Sequence, residues 1–306
     1  MKNFADRLLK EITKMENPSC IGLDPRIEDI PDFIKKQSQK KDSKTKNAIA
    51  WSFFIFNKMI IDATFDIVPA YKLQIAFYEK YGSEGIKALE KTINYLKKKS
   101  KIIFVDAKRN DIGPTAEAYS TAFLSPAGFD VDALTVNPYL GIDGVKPFID
   151  DAIKYGKGIF VLVKTSNPSS GDFQDRILEN KERLYEAVGK MVQKWTKRTE
   201  GKRGYGVVGA VVGATYPQQA KVLRKIMPKS IILVPGYGAQ GGGAIGAALN
   251  FNNDGRGAIV HSARGIIFAW KQKPYKDNFK PKDFHLAARE AALAMKKDLL
   301  EALRSR

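Results

Sequence analysis

Residues 104–113, FVDAKRNDIG, space an aspartate, a lysine and a second aspartate as D-x-K-x-x-D. If the segment is a strand, Asp106 and Lys108 lie two apart and point to the same side. Asp111 falls three residues further on, in a loop. Lys72 closes another apolar run, IVPAYKLQ (67–74), and could join them in an alternating Lys-Asp-Lys-Asp array. Opposite charges this close hold each other ionised, which suits electrostatic and proton-transfer chemistry. A pair of rim salt bridges is the ordinary account of an isolated D-x-K-x-x-D. Here the pattern recurs: apolar runs also finish at Asp24, Gln74, Asn137, Lys164-Thr165-Ser166 and Arg264.

A second stretch, VPGYGAQGGG (234–243), contains a formal G-x-G-x-x-G after the apolar run IILV, with Asp254 18 residues beyond Gly236. A dinucleotide site would need the glycines to open a βαβ unit and the acid to follow its second strand. Both conditions fail, because the motif follows the seventh apolar run and Asp254 precedes the eighth. The glycines instead suit a loop that approaches a phosphate.

The elements that must position these residues are eight short, β-branched-rich runs: 20–24, 67–74, 102–109, 131–137, 158–166, 207–214, 231–236 and 258–265. Their continuous hydrophobicity is that of strands buried on both faces. Segments of helical periodicity lie between them, and FHLAAREAALAMKKDLLEAL supplies a last helix. Strand then helix, eight times, predicts a single (β/α)8 TIM-barrel domain over 1–306 with extra loop and helical insertions. A barrel enzyme builds its site where strands end, which is where the charged residues fall. The stretch 35–46 reads as a polar excursion after the first strand.

Composition removes several classes. Cys20 is the one cysteine and His261 and His285 the two histidines, so Cys-cluster and HExxH metal sites are excluded. Neither histidine has a nucleophile context, and His261 reads as a hydrogen-bonded core residue. The net charge of +18 comes from lysines scattered over helix-like segments without a nucleic-acid motif, which describes a solvated basic surface. The run AIAWSFFIF (48–56) is far short of the ~20 residues a membrane span needs. The amphipathic N-terminus is no signal peptide. A cytoplasmic protein with neither membrane nor nucleic-acid partner is expected.

With DAKRND on the third strand, the chain resembles the orotidine 5′-phosphate decarboxylase family, in its longer subgroup with the D-A-K-R-x-D-I-G signature. CIGLDPR, YKLQ, TSNPSS, GYGAQGG and SARG extend the likeness over nearly the whole chain, with additions around 26–50 and 168–205. The resemblance implies conversion of orotidine 5′-phosphate to uridine 5′-phosphate, the last step of UMP synthesis, with no metal or cofactor. It implies that Lys108 protonates C6, that Asp106 faces the scissile carboxylate, and that Lys72 and Asp111 complete the array. Asp24 and Thr115 would contact the ribose, and Ser166, with Thr165 as the alternative, the pyrimidine. Gln240, Arg264 and Gly265 would hold the phosphate. A homodimer is implied, with Asp111 and Thr115 contributed in trans.

Two rivals remain at this point. A Mg-dependent sugar-phosphate decarboxylase or aldolase of the same superfamily would carry an acid where Lys72 stands, and a cation there disfavours a divalent ion. A non-catalytic basic barrel that binds nucleotide or nucleic acid would be expected to have lost Asp106, Lys108 or Arg264.

Overall fold

A computed structural model describes residues 2–238 and 241–306. Its strands are β1 (Ser19–Gly22), β2 (Ala70–Gln74), β3 (Ile102–Arg109), β4 (Ala133–Val136), β5 (Gly158–Lys164), β6 (Val208–Val212), β7 (Ile232–Val234) and β8 (Ala258–Ser262). All pair in parallel, each with the next in sequence, and β1 pairs with β8 to close the barrel. This is the predicted (β/α)8 architecture. Except for β3, which fills its run, the strands are shorter than the apolar runs because a run also includes the residues that turn away from the sheet. Asp24 and Arg264 therefore stand just beyond β1 and β8.

The wall is buried on both faces, as continuous hydrophobicity requires: every residue of β1, β4, β6, β7 and β8 is buried. β3 differs. Its first four residues are buried and its last four, from Asp106 on, emerge at the barrel mouth. Inside the barrel, Phe104 and Phe160 meet edge to face with centroids 5.2 Å apart. Phe4, from the N-terminal helix α1 (Phe4–Met15), packs on both rings. A Cβ on Gly158, at the start of β5, would come within 2.1 Å of the Phe4 ring, so glycine there admits this floor. The charged mouth thus rests on an aromatic plug.

The stretch read as a polar excursion is mostly helical: α2 spans Asp32–Lys41 and α3 Thr45–Thr64. Ile34 and Ser38, four apart, are the buried face of α2, a stripe too thin to register as periodic among so many lysines. The other addition holds a short 3-10 turn (Pro168–Asp172), an antiparallel bridge between Ile177 and Arg183, and the helix α4 (Leu184–Lys197). The expected last helix is present as Phe284–Arg304. Among the described residues no helix is long and apolar enough to cross a membrane.

Candidate active site

Three strands bring the charged residues together. Asp106, near the end of β3, receives four donors. Lys72 Nζ (3.1 Å) and Gln74 Nε2 (2.9 Å) reach Oδ2, while Lys108 Nζ (2.6 Å) and Thr135 Oγ1 (2.9 Å) reach Oδ1. Lys72 is 3% exposed, and its ammonium also faces Asp24 Oδ1 at 4.0 Å. The side chain of Lys108 is 45% exposed. It is the cation of the group most open to a ligand.

The backbone of β3 is shaped for this. Pairing with β4 shifts register between Val105 and Arg109, and Lys108 has φ of +47°. A lysine in that left-handed region costs about 1–2 kcal/mol. Thr135 of β4 supports the irregularity by accepting from the backbone N–H of Ala107 (3.0 Å) and Lys108 (2.9 Å). One threonine thus satisfies the displaced backbone and fixes the Asp106 carboxylate. Simple alternation along a strand explains why Asp106 and Lys108 meet, but not this bulge, and Thr135 escapes sequence reading because a strand threonine is unremarkable.

The electrostatics follow from these distances. Burial works against the charge on Asp106, but Lys72 and Lys108 overcome it and hold its carboxyl far below the usual carboxylate range. Burial also opposes the charge on Lys72, and Asp106 and Asp24 outweigh it, so its pKa rises. Asp24 behaves oppositely. Its burial outweighs the pull of Lys72, and with Asp106 adding repulsion its pKa lies above the ordinary value. One lysine therefore serves two carboxylates with opposite protonation tendencies.

The group opens onto a cavity of 620 Å3. Its lining also includes Thr165 and Ser166, just after β5. Gln174 holds Thr165 through two bonds, Thr165 N–H to Gln174 Oε1 (2.9 Å) and Gln174 Nε2 to Thr165 Oγ1 (2.8 Å). The Ser166 carbonyl accepts from Thr215 Oγ1 at 3.1 Å, and Gly213 leaves space for Ser166 that a Cβ would invade at 2.8 Å. A second cavity of 370 Å3 adjoins the first through Asp24, Gln74 and His261 and is bounded by Gly236, Ala263 and the exposed Arg264. Gly265 follows Arg264 in a single helical turn and lines neither cavity.

The Gly-rich loop borders this second cavity. Gly236 and Gly238 have φ of +97° and +72°, which only glycine adopts without strain. They let the loop fold back, with Gly238 N–H donating to the Gly242 carbonyl at 2.8 Å and Gly242 N–H to the Gly236 carbonyl at 3.0 Å. Gln240 lies outside the described residues.

Asp111 and Thr115 do not join the group within this chain. Asp111 accepts from the N–H of Ile112 at 2.8 Å, Thr115 is exposed on the following helix (Gly113–Leu124), and neither lines the cavity. His261 departs from its reading as a hydrogen-bonded core residue. It is buried at the junction of the two cavities, and its Nε2 has no partner among the described residues. Burial keeps it neutral well below the ordinary histidine value, with Lys72 adding to the effect. A strand histidine gives no sign of which end of the barrel it occupies until the register is known. Among the described residues no three His, Cys, Asp or Glu side chains are grouped as metal ligands.

The fold and the site define a (β/α)8 barrel with a Lys-Asp-Lys array at the C-terminal ends of its strands. Residues 19–273 match the model of the orotidine 5′-phosphate decarboxylase / HUMPS family, and the chain belongs to that family. It is 43% identical over 285 residues to an orotidine 5′-phosphate decarboxylase of Caldicellulosiruptor bescii, covering 90% of this chain and 93% of that one. A Caldicellulosiruptor saccharolyticus protein of the same name is 40% identical over 311 residues, 99% of this chain and 100% of the relative. The structure of Leishmania donovani OMP decarboxylase superposes with a TM-score of 0.75 at 29% identity, covering 99% of both chains. Leishmania donovani UMP synthase matches with a TM-score of 0.71 at 31% identity, but only over 57% of its length, against 96% of this chain.

Proposed function

We propose that the chain decarboxylates orotidine 5′-phosphate to uridine 5′-phosphate, using charge on its own side chains and no metal. The observation that carries this reading is the Asp106 carboxylate bracketed by Lys72 at 3.1 Å and Lys108 at 2.6 Å. Loss of carbon dioxide breaks the bond to C6 and leaves its electron pair in an sp2 orbital with no adjacent carbonyl to delocalise it. A preorganised ammonium stabilises that charge better than water does, because it need not reorient. Lys108, the exposed cation of the array, then gives its proton to C6. Asp106 faces the departing carboxylate and helps keep the buried Lys72 charged.

The rest of the nucleotide would lie along the two joined cavities. The pyrimidine meets Ser166, with Thr165 as the alternative, the ribose meets Asp24, and the phosphate meets Arg264, Gly265 and Gln240. Binding of the distant phosphate offsets the cost of holding the substrate carboxylate beside Asp106.

The fourth charge of the array would come from a second copy. Asp111 and Thr115 sit amid exposed apolar residues: Ile112, Tyr119, Tyr139, Leu140 and Ile142, with Tyr139 80% exposed. Apolar exposure concentrated around two site residues supports a homodimer in which each copy completes the other's site. Mixing inactive Lys108→Ala and Asp111→Ala chains tests this. Heterodimers should regain activity, and no recovery despite demonstrated exchange would rule out donation of Asp111.

The Mg-dependent alternative is disfavoured by the placement of Lys72. Its ammonium already occupies the space between Asp24 and Asp106, the two carboxylates that would otherwise approach a divalent ion. The direct test incubates purified chain with orotidine 5′-phosphate and follows uridine 5′-phosphate and carbon dioxide. Equimolar release is expected, and no turnover by folded protein would overturn the assignment.

A further inference from the structure

A second buried lysine stands at the mouth, outside the array. Lys164 ends β5 and is 0% exposed. Its ammonium donates to Ser170 Oγ at 3.0 Å and to both oxygens of Asp175 at 2.9 Å. The Tyr216 ring lies over it, with its centroid 4.4 Å away. Three N–H donors thus have three acceptors, and Lys164 does not line the cavity. It has neither a spare proton donor nor a path to a ligand.

The chain between Lys164 and Asp175 matters more. Among the described residues, eight of the nineteen that surround the main cavity come from 165–174. That segment has almost no apolar anchor of its own. Phe173 is 69% exposed, and Ser170 is its only buried residue. Polar bonds must therefore hold it. Lys164 immediately precedes the segment and Asp175 immediately follows it, so their ion pair shuts the loop at its base. The Gln174–Thr165 pair closes a smaller ring inside, and Tyr216 Oη donates to the Asn167 carbonyl at 3.0 Å.

We propose that the Lys164–Asp175 ion pair is a clasp that positions the 165–174 wall against the substrate's base. Lys164 is then a positioning residue, and the proposal rests on the decarboxylase reading for the identity of that substrate. Stability alone gives little reason to keep such a pair, because well-packed apolar residues often replace a buried ion pair at no loss. A clasp gives a reason. It selects one loop shape from the many open to a polar segment, as buried ionic groups do in some systems.

The consequences separate from those of a catalytic lysine. If the loop shape that meets the base falls to about a tenth of the population, apparent affinity falls about tenfold while bound substrate reacts as before. The experiment uses Lys164→Met, which keeps the apolar stem and leaves Asp175, 30% exposed, able to turn to water. The double variant Lys164→Met/Asp175→Asn serves if the single one fails to fold. Hydrogen exchange of 165–174 is measured without ligand, and KM and kcat with orotidine 5′-phosphate. We expect exchange at least about tenfold faster, KM raised about tenfold, kcat within about threefold of the parent, and partial recovery in Lys164→Arg. Unchanged exchange, unchanged KM, or a kcat collapse like that of Lys108→Ala would overturn the clasp. A parent chain that binds uridine 5′-phosphate without turning over orotidine 5′-phosphate would sink the decarboxylase reading instead. The clasp would then stand or fall on loop exchange and on uridine 5′-phosphate affinity in the same variants.

Discussion

Two lysine–aspartate centres stand at the mouth of the same barrel, one lining the cavity on β2–β3 and one behind its wall at the end of β5, and they are built to opposite ends. On β2–β3, one carboxylate is shared by two ammonium groups, and the second of these, Lys108, keeps 45% of its side chain exposed. On β5, one ammonium is shared by a carboxylate and a hydroxyl beneath a tyrosine ring, with the lysine side chain wholly buried. The first centre leaves a cation free to act on a ligand. The second spends every donor on the protein. Residue type and strand-end position do not distinguish them; the count of acceptors around each ammonium does.

Substitutions can break that contrast in a graded order. Lys108→Ala should have the largest effect, lowering kcat on the order of ten-thousand-fold, near the upper end of what a positioned proton donor contributes. Uridine 5′-phosphate affinity, measured by titration, should change little. Asp106→Asn comes next. It leaves Lys72 buried with Asp24 only at 4.0 Å, so urea unfolding at pH 7 should show a loss of about 3–5 kcal/mol.

That loss should depend on pH with a definite sign. The folded pKa of Asp106 lies below its unfolded value of about 3.9. Its stabilisation is therefore complete above about pH 4 and fades as pH falls through the folded value. The stability gap between parent and Asp106→Asn should narrow on acidification below about pH 4; a gap that stays constant to pH 2 would contradict the assigned shift. On the other centre, Lys164→Met should move KM about tenfold and kcat little. The smallest effect belongs to the solvent-exposed pair of Lys146 with Asp150. Lys146→Ala should change stability by about 0.5 kcal/mol or less and leave both kinetic constants alone.

The barrel was legible because buried parallel strands must be apolar throughout, and eight such runs alternate with amphipathic helices. The Lys72, Asp106 and Lys108 group was legible for a related reason: charges at the ends of otherwise apolar runs have few places to go except the mouth. What escaped depends on geometry that sequence spacing does not carry. Thr135 matters through a bulge two strands' pairing creates. His261 meets two cavities because of strand register. Lys164, read only as one polar strand end among several, is told from Lys108 by partners that lie 6 and 11 residues onward in an irregular loop. Asp111 and Thr115 sit beside an apolar surface instead of in the cavity, so the role the resemblance implies for them needs a second chain. The helix α2 was hidden by its lysines.

The most direct measurement of the account compares turnover of orotidine 5′-phosphate by the parent chain and by Lys108→Ala after exhaustive chelation, in one assay. The account predicts that chelation leaves the parent rate unchanged and that the lysine variant is inactive while still binding uridine 5′-phosphate. A parent rate abolished by chelator and restored by Mg2+, or a variant that keeps near-parent turnover, would contradict it.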